Sequence, residues 1–351
     1  MRYIVDVGQH QADRIAELVN EGKYQSVAQF ILAAIENQIY IEGSPDVKLT
    51  YENKEDGFSS TVAGKYETKF NTQENDIISV KNIKGGPQIV PAPKFSDLVA
   101  STYNMEEERC WLWGQSNKIF PVKIGLRVLY KLLGSEQWID LDDYREKAAL
   151  IASSFGTKIR LYEKRNHRTR DERISAGLPM EKEFKSIHRY KNHFLAYMRK
   201  DEKLDGPMPF LKFVNLKKTE RGRVVIGLTE YGASFARIEN PIVDAGSFEK
   251  SFGDKEIEFY LEHITKNVRG ECFAFKWVLT RVRDGISNGD SLNKSLSEEM
   301  KSFWKGVTPA VVNTQRAGLM ARMFELGLLN KKKQGVAVTY VVSKSGQKFL
   351  A

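Results

Sequence analysis

The residues with the clearest chemical purpose in this chain are closely spaced cations. Arg160, Lys164, Arg165, Arg168, Arg170 and Arg173 fall within 14 positions, broken by only three acids. Guanidinium groups at that density suit phosphate oxygens, which they meet as planar donor forks. No apolar period runs through RLYEKRNHRTRDERISAGLP, so it is expected as a surface loop or arm along a phosphate backbone or minor groove. Two further groups sit at predicted strand turns: Lys217, Lys218, Arg221 and Arg223 in LKKTERGR, and Lys331, Lys332 and Lys333 in NKKKQG. Nothing beside these cations points to bond breaking. The chain has no GxxxxGK[ST], GxGxxG, HExxH or paired-cysteine pattern. Its five histidines lack ligand spacing, and His188 and His193, five apart, splay on a helix. Asp171 with Glu183 and Lys185 imitates a metal-dependent nuclease, but that chemistry needs carboxylates on adjacent strands and Glu183 falls at a predicted helix start. Asp140, Asp142 and Asp143 suit a helix N-terminus. No catalytic residue, metal or cofactor is therefore expected.

The 351 residues carry a net charge of +9, and that charge is not spread evenly. Segments 1–42, 43–116, 117–236, 237–254 and 255–351 carry −3, −3, +10, −2 and +7. All the excess lies in two blocks, which favours a polyanionic partner over general solubility. Hydrophobic residues at 41% and charged residues at 28% describe a globular chain with room for more than one core. No apolar run reaches the ~18 residues of a membrane span. The opening MRYIVDVGQHQADR has no uninterrupted apolar stretch, so export is not expected. Cys110 and Cys272 form no disulfide framework, in keeping with a cytoplasmic, nucleoid-associated protein.

The two basic blocks repeat weakly. VVIGLTEYGASFA (224–236) and TYVVSKSGQKFLA (339–351) align Leu228, Thr229, Gly232 and Phe235 with Val342, Ser343, Gly346 and Phe349 at identical spacing. Each follows a basic turn, and three helices are predicted ahead of each: 122–134, 140–155 and 181–200, then 271–285, 291–303 and 308–326. The last opens on Thr308 as N-cap with Pro309 at the first helical position. A hairpin with a charged tip, followed by a Thr or Ser that starts a short helix, is similar to the wing and closing helix of winged-helix domains. That resemblance implies that the third helix of each set meets a DNA groove. In the first set Ile187, Tyr190, Phe194, Tyr197 and Met198 form the predicted inward stripe, leaving Lys185, His188, Arg189, Asn192 and Arg199 outside. Arg and Asn there suit bidentate contacts to guanine and adenine. In the second, the exposed face is expected to be Asn313, Thr314, Ala317, Gly318 and Ala321. Such small residues admit close backbone approach, and groove binding and packing against another subunit both stay open.

Residues 1–42 read as strand, helix, helix. Tyr3, Val5 and Val7 alternate, Ala12, Ile15, Leu18 and Val19 share a helical stripe, and Ser26 with Gln29 forms a capping box ahead of Val27, Phe30, Ile31, Ala34, Ile35 and Ile39. From YIVDV through NEGKYQSVAQFILAAI the chain resembles the ribbon-helix-helix family of the MetJ, Arc and CopG type. The resemblance implies a homodimer joined by an antiparallel ribbon. It carries Arg2, Ile4 and Asp6 onto the groove-facing side, and Ser26 and Val27, with Lys23 nearby, onto the phosphate-facing helix start. Ile4 and Asp6 depart from the pattern, since an aspartate repels phosphate; dimerisation with and without base reading both stay open. Between the N-terminal segment and the first basic block, residues 43–116 read as a connector with one or two hairpins, and Trp111 and Trp113 are expected to pack rather than to stack on bases.

The expected architecture is α+β: a ribbon-helix-helix module (1–42), a connector (43–116), a winged-helix-like domain with a basic insertion (117–244) and a second such domain (255–351). The expected function is double-stranded DNA binding by a homodimeric prokaryotic transcriptional regulator. Alternatives are a replication initiator or partition factor of a mobile element, and a nucleic-acid-holding scaffold subunit of a larger complex with protein partners.

Overall fold

In the computed structural model the described residues are 9–20, 26, 27, 30, 78, 79, 85–103, 105–180, 183–304, 307–334 and 337–351. The chain divides into two compact units, Met1–Thr68 and Lys69–Ala351. In the first, α1 spans Gln9–Asn20. Ile15 on its predicted stripe is buried, Leu18 and Val19 are half-buried, and Ala16 and Glu17 between them are exposed. The Phe30 N–H donates to the Ser26 carbonyl at 3.1 Å, one helical turn on. The predicted strand, Arg2 and Lys23 lie outside the described residues.

The second unit is built around α2 (Phe120–Leu133), of whose 14 residues 12 are buried. A helix apolar nearly all round must be enclosed, and Pro121 in its first turn starts it where no N–H partner is needed. Around it the chain forms β1 (Ile139–Asp140), α3 (Leu141–Arg165), α4 (Phe184–His193), β2 (Tyr197–Met198), β3 (Leu204–Asp205), α5 (Pro207–Phe210), β4 (Val214–Lys218), β5 (Val224–Leu228) and α6 (Glu230–Arg237). Then come α7 (Asp254–Asn267), α8 (Arg269–Arg283), α9 (Gly289–Lys301), α10 (Pro309–Glu325), β6 (Leu329–Gln334), β7 (Ala337–Val342) and α11 (Lys344–Leu350). The fold is thus α+β, with small antiparallel sheets ordered β1-β5-β4, β2-β3 and β6-β7. No helix among the described residues is long and apolar enough to cross a membrane.

The repeat extends well beyond the aligned residues. Asp140 caps α3 by accepting from the Asp142 and Asp143 N–H groups, and Asn288 caps α9 by accepting from Ser291. Ile139 pairs with Ile226, and at the matching place the Tyr340 N–H donates to the Ser287 carbonyl at 2.7 Å. The Thr229 hydroxyl accepts from the Gly232 N–H and donates to the Lys212 carbonyl; Ser343 does the same between Gly346 and Gly327. A Cβ on Gly232 or on Gly346 would meet the carbonyl oxygen of Phe213 or Leu328, which explains why both copies keep glycine there.

Two expectations need correction here. The helix read over 181–200 ends at His193, because Phe194, Leu195 and Ala196 are all fully buried and three consecutive residues cannot share one helical stripe. Tyr197, Met198 and Arg199 instead belong to the β2–β3 hairpin, closed by an Arg199 N–H to Lys203 carbonyl bond of 2.9 Å. The basic insertion is not an arm, for α3 runs on through Arg165. The buried Glu163 carboxylate holds the following turn by accepting from the Ile174 N–H at 2.6 Å, the Ser175 N–H at 2.8 Å and the Ser175 hydroxyl at 2.6 Å. The stretch around 50–70 where one or two hairpins are expected lies outside the described residues; the described part of 43–116 contains single 3-10 turns at Phe95–Asp97, Val99–Tyr103 and Glu107–Arg109. Residues 86–91 lie beside β5, where the Val90 N–H donates to the Leu228 carbonyl at 2.9 Å, and Pro91 and Pro93 have no N–H to extend a ladder.

Candidate nucleic-acid interface

The first basic hairpin is shaped by its turn. Gly222 at φ +78° donates its N–H to the Thr219 carbonyl at 2.8 Å, and the Thr219 N–H donates to Arg223 at 2.7 Å, the pattern of a turn closed by a left-handed glycine. Lys217, Lys218, Arg221 and Arg223 are all exposed on it. They are not equally free. Lys218 is paired with Glu202 at 3.2 Å, and the Lys217 ammonium lies 4.4 Å from the centre of the Trp138 ring. Arg221 and Arg223 have no side-chain hydrogen bond or ion pair among the described residues. In the second hairpin Lys331 lies 4.7 Å over the Phe324 ring, Lys332 is exposed, and Lys333 pairs with Val338 in the ladder.

On α4, Tyr190 is buried against α2, donating its hydroxyl to the Pro121 carbonyl at 3.1 Å, while Lys185, His188 and Arg189 are exposed. Asn192 is half-buried, accepting from Arg145 at 2.8 Å, and Lys191 pairs with Glu146. These two bonds lock α4 onto α3. Beyond its C-terminus lies a cleft of about 290 Å³ lined by Tyr103, Trp113, Asn192, His193, Tyr197 and Asp205. The Tyr197 hydroxyl donates to Asp205 at 2.6 Å, and burial pushes its pKa up. Partial burial together with the Arg189 charge lowers that of His193.

The second third-helix, α10, has one flank occupied by its own chain, which corrects the expectation that Gly318 is exposed. Gly318 and Gly114 meet backbone to backbone, so that a Cβ on either would collide. Trp111 donates its indole N–H to Gln315 at 3.2 Å. The fully buried Arg322 donates to Glu271 at 2.7 Å and to the Ser116 carbonyl at 2.9 Å, while Glu271 accepts from the Leu112 N–H at 2.9 Å. Trp111 and Trp113 pack as expected, Trp113 edge-on to Trp304 at 5.0 Å. What remains outside is Asn313, which accepts from Arg316 at 3.0 Å, the exposed Ala317, and the half-buried Ala321 and Thr314, the Thr314 hydroxyl donating to the Ala310 carbonyl at 2.9 Å. Arg165 and Arg170 are exposed, and Arg168 is held over the Tyr162 ring at 5.2 Å while donating to the Glu249 carbonyl at 2.9 Å. Ser26, in the first unit, is exposed.

Charge is also stored in the interior. Lys123 meets Glu256 at 2.9 Å and Arg127 meets Asp244 at 2.6 Å, all four side chains fully buried. Burial lowers the Lys123 pKa to about 8 despite Glu256. Spacing four apart on α2 puts these two cations on one face, yet nothing in the sequence marks them as interior, since their carboxylates come from about 120 residues away. Trp138 as a platform for Lys217 is equally hidden, because only the β1–β5–β4 register brings them together. No group of three or more His, Cys, Asp or Glu among the described residues is placed to hold a metal ion. Cys110 and Cys272 are buried and free, and burial pushes the Cys110 thiol up to about 12, which leaves it unreactive. Compared with protein-family models, with curated proteins and with solved structures, the chain matches none.

Proposed function

We propose that the chain is a double-stranded DNA-binding protein built from two winged-helix-like modules, acting as a homodimeric transcriptional regulator in the cytoplasm. One observation carries the reading. The same succession of helix, capped helix, further helix, basic hairpin and Thr- or Ser-capped helix occurs twice, with β1, the β2–β3 hairpin and α5 added in the first copy, and each hairpin holds exposed positive charge. In this reading Arg221 and Arg223 meet phosphates, and Arg189 on α4 reaches base edges. The ribbon-helix-helix resemblance of residues 1–42 supports the dimer. Selection of duplexes from a random pool tests it: a recovered inverted repeat supports a symmetric regulator. The salt dependence tests the holding, since a dozen neutralised phosphates give a log-log slope of about −10, and a slope shallower than about −3 removes the basic hairpins from the interface.

A second reading, a scaffold subunit that holds nucleic acid inside a larger complex, is favoured by the Gly114–Gly318 contact, which closes one flank of α10 to a groove. A steep salt slope with no recovered sequence selects it.

A further inference from the structure

The first residue of α4 is out of keeping with a soluble helix. Phe184 is 79% exposed, more than any other described large hydrophobic side chain. Its ring is stacked with that of His188 one turn on, centroids 6.1 Å apart and planes 27° from parallel. Lys185 and Arg189, also exposed, stand beside this pair. A solvated phenylalanine gains nothing from water, so the arrangement needs an apolar occupant, and the flanking cations specify its charge. An anionic partner that also offers a flat apolar face is a nucleic acid with an accessible base. The position of His188 narrows the form of that base. Intercalation between two stacked pairs requires both faces of the inserted ring, and here His188 lies against one of them. A single unpaired base needs only the other.

We propose that Phe184 is a stacking platform for one unpaired nucleobase, with Lys185 and Arg189 holding the adjoining phosphates. This rests on the reading that the chain binds nucleic acid and adds to it a site for a strand end, bulge or melted base beside the duplex. The rigid seat fits that use: Lys191 and Asn192, two turns on, fix α4 to α3 through Glu146 and Arg145, so the platform is presented rather than formed on binding.

The experiment uses the full chain and two probes of one sequence, a fully paired duplex and the same duplex with a single unpaired 2-aminopurine at a bulge. Expected is a preference for the bulged probe by about 5- to 100-fold, the range for one base on an aromatic ring, with quenching of the 2-aminopurine. Phe184→Ala abolishes both preference and quenching and leaves affinity for the paired duplex unchanged, whereas Phe184→Trp keeps them. The side chain is exposed, so both variants are expected to melt with the parent. Equal binding of the two probes by the parent, or a preference that survives Phe184→Ala, overturns the proposal while leaving duplex binding standing. If the parent binds neither probe, the DNA-binding reading itself has failed. If Phe184→Ala instead reduces self-association or capture of a protein partner and leaves both probes unaffected, the surface is a protein dock and the proposal is overturned.

Discussion

Lys212 and Gly327 occupy the same place in the two repeats. Both have left-handed backbone, φ +57° and +68°, and both present their carbonyl to the hydroxyl that caps the closing helix, Thr229 at 2.7 Å and Ser343 at 2.6 Å. The approach to each is also shared. Lys212 follows α5 with its N–H donating to the Pro209 carbonyl at 2.9 Å, and Gly327 follows α10 with its N–H donating to Phe324 at 3.1 Å. In the first repeat the one-turn α5 therefore holds the place that the end of a 17-residue helix holds in the second.

From this equivalence the two positions should respond unequally to substitution. A left-handed non-glycine residue costs ~1 kcal/mol, so Gly327→Ala is expected to destabilise by about that amount. Lys212→Gly is expected to be near neutral, since relief of strain offsets the loss of the half-exposed Glu107 pair at 2.9 Å. Urea midpoints of the two variants check this; equal losses at both sites would refute the structural equivalence.

At the Gly114–Gly318 contact there is no side chain to yield, only backbone. Gly318→Ala should cost ~2 kcal/mol or more through overpacking, while Ala317→Ser, one residue away and exposed, should leave the melting temperature within a degree or so of the parent. Thermal melts decide it, and an unaffected Gly318→Ala would mean that residues 111–116 do not cover α10.

The first hairpin predicts an order among its cations. Arg221→Ala with Arg223→Ala should weaken binding to every duplex alike and flatten the salt slope by about 0.9 for each phosphate no longer neutralised. Lys218→Ala should do less, because Lys218 must first leave Glu202. Arg189→Ala should instead cost ~1 to 3 kcal/mol on a selected sequence and little on random DNA. If the hairpin changes erase sequence preference while Arg189→Ala preserves it, the two roles are exchanged.

His263 gives a pH dependence. It is buried, its ring stacked 4.9 Å from Phe213 and its Nε2 donating to the Leu211 carbonyl at 2.7 Å; burial lowers its pKa to about 4. Because the folded state resists protonation while the unfolded chain protonates near 6.5, this contribution to stability is full above pH 6.5 and lost as pH falls toward 4, by up to ~3 kcal/mol. Carboxylates titrate over part of the same range, so the difference between the parent and His263→Gln is the measurement. The variant should lose less stability between pH 6.5 and 4 than the parent; parallel curves would show that His263 protonates freely.

How far these features could be read from sequence depends on the range of the interaction. Caps and turns are local, and Thr229, Ser343, Thr308 and Asp140 lie where their types predict, as does the glycine pair Gly232 and Gly346. A local pattern misleads where tertiary packing overrides it. Tyr197 and Met198 continue a helical stripe on paper, but the burial of Phe194 through Ala196 turns the chain into a hairpin. The segment 160–173 looks like a solvated loop because Glu163, the buried acid that holds the turn after it, is indistinguishable by type from a surface glutamate. Arg322 and Arg127 carry no mark of burial in the sequence for the same reason, their partners lying 51 and 117 positions away. Nothing about the order of types around Phe184 announces exposure, since a phenylalanine at a helix start is ordinarily a packing residue.

The α2 helix begins without a side-chain cap of its own. Its first N–H groups are instead taken up by Glu325, at the C-terminal end of α10 in the second repeat, which accepts from Ile119 at 2.6 Å and from Phe120 at 3.4 Å. The central helix of one repeat is thus finished by a carboxylate of the other, as the backbone of 112–116 is finished by Arg322 and Glu271. Two segments that look like beads on a string are therefore interdependent: neither can be cut out, exchanged or rotated as a cassette without orphaning buried polar groups in the half left behind. Under the proposed nucleic-acid reading, this fixes the spacing between the two basic hairpins as a property of the folded core rather than of a linker.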